Sequence, residues 1–536
     1  MRCVVQQMII FSVLSKVVWC ESYNVSIVHF NDFHARYDPV DNVSTTCEGN
    51  NCIGGFSRLF SAIMELKKHK PNSIVLNAGD NFQGTLWYIV HKWNVTQHFL
   101  NKLPLDAITL GNHEFDDGID GLVPYLQHIQ APVIVSNINT NLEPRLDNLY
   151  RRSVIIERDG KKIGIIGALT TTTSSTSRTE NVLFANELDS VYNEAKRLEQ
   201  EVFANIVLSH CGYNLDLEMA RNSSSKIRVI VGGHTDTFLY TGSPIPGPDK
   251  PSGPYPTIVL NKSGDKVLVV QASAYTKYLG NLTVFFDNFA NVVGWDGAPI
   301  FLDDNNIHSD VRIDAELALW KEAVNLQGKK IVGTTINTML NQPCRSEECP
   351  LGNFATDAML YNYQSTLDNF CNNTVIAAIH AGGIRAGIEE GNITFYQLTT
   401  TFPFQDTINI CDIKGEHLKE ILESFINNDH LKFPHLLQMA GLHVVFNISN
   451  PEGGRVETLK TCCSQFENIS CEDIILEKDY RVLLPTFLTD TSFNPLFQKY
   501  IKNKIIGDLD SNVYTKYLKI KSPLMQGVEG RIKIIQ

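Results

Sequence analysis

The chain has 536 residues, 43% hydrophobic and 19% charged, the composition of a globular protein too long for one hydrophobic core, so two domains are expected. Its formal net charge of −12 argues against a broad polyanion-binding surface and hence against a nucleic-acid partner; a small phosphorylated ligand held by a local metal or arginine cluster stays compatible with it. No run reaches the roughly 18 apolar residues that a membrane-spanning helix needs.

In chain order, residues 1–20 carry Arg2, an apolar stretch over 8–14, Val17, Val18 and Cys20, the pattern of a signal peptide cut after Cys20. The sequons at Asn24, Asn42, Asn94, Asn222, Asn261, Asn281, Asn372, Asn392, Asn447 and Asn468 agree with export. The pairs Cys47/Cys52 and Cys344/Cys349 suit tight disulfide loops in an oxidising compartment. Cys371, Cys411, Cys462, Cys463 and Cys471 are left for further bridges of open connectivity, and Cys211 is expected to be a free, packed thiol.

The mature chain then repeats one rhythm. Short β-branched runs over 25–30, 73–76, 107–110, 206–208 and 229–231 lead into loops bearing, respectively, Asp32 and His34; Gly79 and Asp80; Gly111, Asn112 and His113; His210; and Gly233, His234 and Asp236. The carboxyl ends of strands in a layered α/β domain are where ligands gather, so the five loops are expected to meet at one site. Two divalent ions held close together need a bridging carboxylate, His nitrogens and Asp or Asn oxygens, and these loops supply that assortment. Residues 55–68 read as a helix with Phe56, Leu59, Phe60, Ile63, Met64 and Leu66 as its core stripe.

Residues 170–177, a Thr/Ser run, read as a mobile loop, and 244–256, rich in Pro and Gly, as a surface loop. Residues 314–325 hold helix formers with few breakers, so 311–332 is taken as a linker helix between a first domain, 21–310, and a second, 333–536. In the second, the apolar run 375–379 enters His380-Ala-Gly-Gly-Ile-Arg385, where small residues allow a ligand close to the backbone. Arg345 lies inside the Cys344/Cys349 loop and is expected to face the same cavity. The last residues carry no apolar tail of about 10 to 20 residues, so no lipid anchor is expected.

The strings HFNDFHAR, NAGDNFQGT, TLGNHEFD and GGHTDTFLYTG, in that order, resemble the calcineurin-like metallophosphoesterases and, within them, the 5'-nucleotidase family that includes secreted apyrases. That resemblance implies a four-layer α/β/β/α metallophosphoesterase domain followed by an α/β nucleotide-specificity domain. It implies one metal on Asp32, His34, Asp80 and Asp236, and another on Asp80, Asn112, His210 and His234, with Asp80 bridging. Zinc is placed first, with manganese, calcium or magnesium as alternatives. His113, oriented by Asp116, would stabilise charge on the phosphate or its leaving oxygen, while Glu114 would be structural. Arg345, His380 and Arg385 would face the substrate, with Phe404 and Phe487 clamping an adenine.

Three positions depart from the family pattern. Asp236 stands where an amide or His is usual, adding negative charge, and His380 stands where Asn is usual. Phe493 aligns with a ribose-binding Asp, for which Asp490 would substitute only in a rebuilt loop. The implied function is secreted hydrolysis of ATP and ADP and/or AMP, suppressing platelet aggregation during blood feeding. The alternative is a catalytically weak secreted binding protein on the same fold, directed at a host platelet protein or receptor.

Overall fold

The apolar runs of the first domain enter two stacked six-stranded sheets. The structure is a computed structural model that describes residues 23–41, 47, 51–365, 375–426, 436–465, 468–490 and 494–535. The expected signal segment, Cys371 and Phe493 lie outside the described residues, as do the side chains of Cys463 and Asp490. In the first sheet, β1 (Tyr23–Phe30), β2 (Ile74–Asn77) and β3 (Ala107–Ile108) run parallel. In the second, β4 (Lys161–Leu169), β5 (Ala204–His210), β6 (Ile227–Val231) and β7 (Lys266–Val270) do the same. β8 (Tyr278–Phe286) returns antiparallel to β1.

These runs are apolar without alternation because both faces are covered. Ile27, Leu76 and Ala107 of the first sheet meet Ile165, Ile206, Leu208 and Val229 of the second in the core between the sheets. The outer face of the first sheet, with Val28, Val75 and Ile108, packs under α1 (Phe56–His69), α2 (Trp93–Leu100) and α3 (Gly118–His128). The outer face of the second, with Ile166, Val207 and Ile230, packs under α4 (Glu187–Leu198) and α5 (Tyr213–Asn222). The domain is therefore layered α/β/β/α.

Two local expectations are corrected. Met64 is 44% exposed; it sits about 100° around α1 from Ile63, off the buried stripe. The run 170–177 is no mobile loop: Thr173–Thr176 form a helical turn, and Thr170, Thr173, Thr176 and Ser177 are buried. Thr173 Oγ1 donates to the Thr170 carbonyl at 2.7 Å, and Glu187 accepts from the Thr171 N–H at 2.6 Å, so hydroxyls that look like solvent-facing polarity act as local caps.

The linker helix, α6 (Val311–Gly328), is capped by Asp310, which accepts from the Arg312 and Ile313 N–H groups. Its Ile313, Leu317 and Val324 belong to the first domain's core. Glu316 meets His98 at 2.6 Å and Lys102 at 2.9 Å, and Lys321 meets Asp38 at 2.7 Å. The helix is thus docked on the first domain and stops short of the expected 332, because the strand Ile331–Thr335 already begins the second domain.

That domain centres on a five-stranded sheet in the order β11-β9-β12-β10-β13, with β9 (Val375–His380), β10 (Ile408–Lys414), β11 (Leu437–Ala440), β12 (Asp479–Pro485) and β13 (Lys502–Ile505). Helices α7 (Pro350–Gln364) and α8 (Asp510–Lys521) contribute to its core. Disulfides join Cys47 to Cys52 and Cys344 to Cys349, and Cys462 to Cys471 across paired strands. Cys211 is a buried free thiol.

Candidate active site

Each of the five polar loops leaves the carboxyl end of a parallel strand: β1, β2, β3, β5 and β6. Two glycines let the β2 and β3 loops touch. At Gly79, φ is +84° and an added Cβ would sit 2.6 Å from the Gly111 nitrogen; one added at Gly111 would sit 2.0 Å from Asp80 Oδ1. Glu114, fully buried, accepts from the N–H groups of Asp80 (3.0 Å), Asn81 (2.6 Å) and Gly111 (2.6 Å). Asp80 Oδ1 in turn accepts from the His113 N–H at 2.9 Å.

Asp32, His34, Asp80, His234 and Asp236 all have positive φ, between 46° and 79°. Left-handed backbone at non-glycine residues is costly and persists where the surrounding structure imposes it, a pattern that clusters at functional sites.

One donor atom each from Asp32, His34 and Asp236 lies within 4.8 Å of the others, and the same holds for Asp80, His210 and His234. His210 Nε2 is 3.0 Å and His34 Nε2 3.7 Å from Asp80 Oδ2, which places Asp80 between the two groups. Asn112 Oδ1 is 3.0 Å from His234 Nδ1. The Nδ1 atoms of His210 and His34 lie 2.6 Å from the Ala78 carbonyl and 3.2 Å from the Phe82 carbonyl. Protons donated there would leave both Nε2 atoms free to offer lone pairs to a cation beside Asp80.

This donor set fits divalent cations. Burial raises the Asp32 carboxyl well above the ordinary range, and the neighbouring Asp236 and Asp80 raise it further against the opposing His210. Burial and Asp80 push Asp236 up to about 6. Carboxylates that crowd and repel in this way need a cation between them. His210 Nε2, wholly buried, faces the Asp80 carboxylate at 3.0 Å, in position to share a cation with it.

His113 stands at the edge of this cluster, its Nδ1 2.6 Å from Asp116 Oδ2. Burial opposes its protonation, yet the carboxylates of Asp116, Asp80 and Glu114 prevail and push its pKa up to about 10, which favours the protonated ring.

The strand-and-loop reading of the sequence missed three supports. Asn31 donates to Asp32 Oδ2 at 2.6 Å and to the Ser273 carbonyl at 2.5 Å. Tyr275 hydrogen-bonds Asp236, with its own N–H donating to the Asp32 carbonyl at 2.8 Å. The buried Arg36 guanidinium lies 4.6 Å from the Tyr275 ring centre. Arg36 directly follows the motif, but Tyr275 comes from a distant loop with no local signal.

In the second domain, His380, Arg385, Phe404 and Phe487 line one cavity of about 230 Å³. Phe404 and Phe487 are 49% and 38% exposed, which is incompatible with both being core residues. The His380 ring stacks on Phe487 with centroids 6.0 Å apart, and the Arg385 guanidinium lies 5.9 Å from the Phe404 ring. Arg345 is exposed and does not line this cavity; the short helix Pro343–Arg345 ends with it outside. Asp406, Asp510 and Tyr514, which the sequence did not single out, complete the wall.

Residues 25–237 match the calcineurin-like phosphoesterase family and 331–498 the 5'-nucleotidase C-terminal domain. The chain is 40% identical to an apyrase of Tabanus yao over 96% of its own length and 94% of that protein. It is 34% identical to the human 5'-nucleotidase over 97% and 93%. The crystal structure of a 5'-nucleotidase precursor from Thermus thermophilus superposes with a TM-score of 0.69 at 30% identity, covering 96% of this chain and all of that one. Fold, site and near full-length likeness together establish that the chain belongs to the 5'-nucleotidase and apyrase family of metallophosphoesterases.

Proposed function

We propose that the protein hydrolyses terminal phosphates of extracellular adenine nucleotides, ATP and ADP and/or AMP, at a two-metal centre. The convergence of Asp32, His34, Asp80, His210, His234 and Asp236, with Asp80 between the two donor groups, carries this reading. Asp32, His34, Asp80 and Asp236 would hold one ion and Asp80, Asn112, His210 and His234 the other. Zinc suits the imidazole-rich set, with manganese, calcium or magnesium as alternatives. Bound there, a divalent pair supplies Lewis acidity toward a phosphoryl oxygen and lowers the pKa of water.

The chain's own residues do the rest. His113, a cation held by Asp116, donates a hydrogen bond or a proton to the leaving oxygen as charge develops on it. Phe404 and Phe487 grip the base between two faces, and Arg385 offers a guanidinium fork to an anionic oxygen. Arg345 can join only if its loop moves inward. Asp406 and Asp510 stand in the wall of the same cavity, where they could accept from ribose hydroxyls in place of the usual aspartate near position 493.

Secretion, and a consequent suppression of platelet aggregation by removal of ATP and ADP, belong to the same proposal; no helix among the described residues is long and apolar enough to cross a membrane. The test is phosphate release from AMP, ADP and ATP by the purified protein. Release from at least one is expected. Release from none, with metal bound, would leave only the competing reading, a secreted binding protein on this fold.

A further inference from the structure

On the first domain lies a polar cavity of about 570 Å³ that includes none of the proposed metal ligands or cleft residues. Its walls are the segment between residues 136 and 152 and the outer face of α4. Main-chain bonds fix those walls: Ser136 N–H donates to the Gly167 carbonyl at 2.8 Å, and Val135 N–H to the Arg151 carbonyl at 2.7 Å. Gly167 allows this packing, since a Cβ there would meet the Ile134 carbonyl oxygen at 1.9 Å.

Several of the polar groups that line the cavity are unspent, although Asn137, Thr140 and the Tyr150 hydroxyl are engaged within the wall. Ser136 is 7% exposed, and its Oγ has no hydrogen-bond partner among the described residues. The side-chain amides of Asn141, Asn148 and Asn193 and the guanidinium of Arg151 likewise make no hydrogen bond among the described residues, and Arg152 lies in the field of Glu194. Glu194 itself is engaged by Arg197 at 2.7 Å and by Ser153. Beside the two arginines this leaves Asp147 as the one unengaged acid of the lining, so the cavity is locally cationic on a chain of net charge −12. None of the chain's sequons falls within 136–152 or 187–198, so no N-linked glycan originates in these walls.

We propose that this cavity binds an acidic saccharide unit. Each asparagine amide offers a donor beside an acceptor, which matches a ring hydroxyl that is both. The Tyr150 ring, half-buried in the wall, offers an apolar face of the kind that sugar C–H groups cover. Arg151 and Arg152 supply planar forks for a sulfate or carboxylate substituent. A bare anion would leave the amides and Ser136 Oγ unused.

The probe is a sulfated heparin-derived disaccharide, titrated calorimetrically into the full-length protein beside inorganic sulfate and lactose. The disaccharide is expected to bind at least about tenfold more tightly than either control, and Arg151→Ala and Arg152→Ala each to weaken it about tenfold, the loss of one charge-assisted contact. Both arginines are exposed, so unchanged thermal unfolding of the variants is expected. Hydrolysis of AMP should be unaffected by the disaccharide; if AMP proves not to be a substrate, the binding measurement still stands alone. The proposal is overturned if the disaccharide does not bind, binds no better than sulfate, binds equally well to both variants, or competes with AMP.

Discussion

Three main-chain N–H groups from two loops converge on the Glu114 carboxylate, so one side chain holds the Asp80 and Asn112 loops together. Glu114→Gln keeps the shape but replaces one accepting oxygen with a donor facing an N–H. A charge-assisted hydrogen bond of about 1.5 to 3 kcal/mol is lost. Metal affinity by competition with a chelator should fall about tenfold or more, although Glu114 is no proposed ligand; unchanged affinity would refute the bracing role. Its neighbours have other tasks. His113→Ala is expected to lower kcat by about 10²- to 10⁴-fold with metal content unchanged, whereas Asn112→Ala should loosen one ion. Elemental analysis beside turnover separates the two, and equal metal loss in both variants would contradict this division.

His29 contributes stability rather than chemistry. It pairs across the sheet with Gly280, where a Cβ would strike its ring, and its Nε2 meets the Tyr255 hydroxyl at 2.9 Å. Burial holds its pKa down to about 3. The folded state therefore refuses a proton that the unfolded chain accepts below about pH 6.5. This contribution is complete above pH 6.5 and is lost as pH falls toward 3, with about 3 kcal/mol gone by pH 4. Urea unfolding at pH 7 and pH 4 should show a smaller acid loss in His29→Gln than in the parent protein, by about that amount.

Elements whose burial is dictated by their own residues were legible in the sequence; those whose burial is decided by a partner were not. The five β-branched runs could be read because both faces of each strand are covered, and the loops after them carry the polar groups that the core rejects. That the runs divide between two sheets is a pairing between distant segments, which no local pattern encodes. The turn at 173–176 was misread because its hydroxyls are satisfied by main chain a few residues away. Nothing in the residues flanking Phe404 and Phe487 tells a clamp from a core, and their exposure into a shared cavity speaks for the clamp. Each stacking face is worth about 1 to 3 kcal/mol, so Phe404→Ala and Phe487→Ala should each raise KM for AMP by about 5- to 150-fold with kcat less affected. Steady-state kinetics decide this, and an unchanged KM would return both rings to a structural role.

At the scale of the whole molecule, α6 belongs mechanically to the first domain. Three buried apolar residues and the contacts to His98, Lys102 and Asp38 fasten it there. Its far end touches the second domain near Tyr396, against which Gly328 packs. A change in domain angle on nucleotide binding should therefore turn about Lys329 and Lys330, with α6 moving as part of the first domain; crystal structures with and without a nucleotide would show α6 superposing with that domain.

If the loops of two sheets build a two-metal centre for phosphate release, activity must follow the metals as they are removed and restored. Phosphate release from AMP, ADP and ATP is measured for the protein as purified, after stripping with EDTA, and after adding zinc or manganese, with Asp80→Ala alongside. Release is expected to disappear on stripping, to return with a divalent ion, and to stay absent at every step in Asp80→Ala. Release that persists after complete stripping, or an Asp80→Ala variant that hydrolyses as fast as the parent, would contradict the two-metal centre.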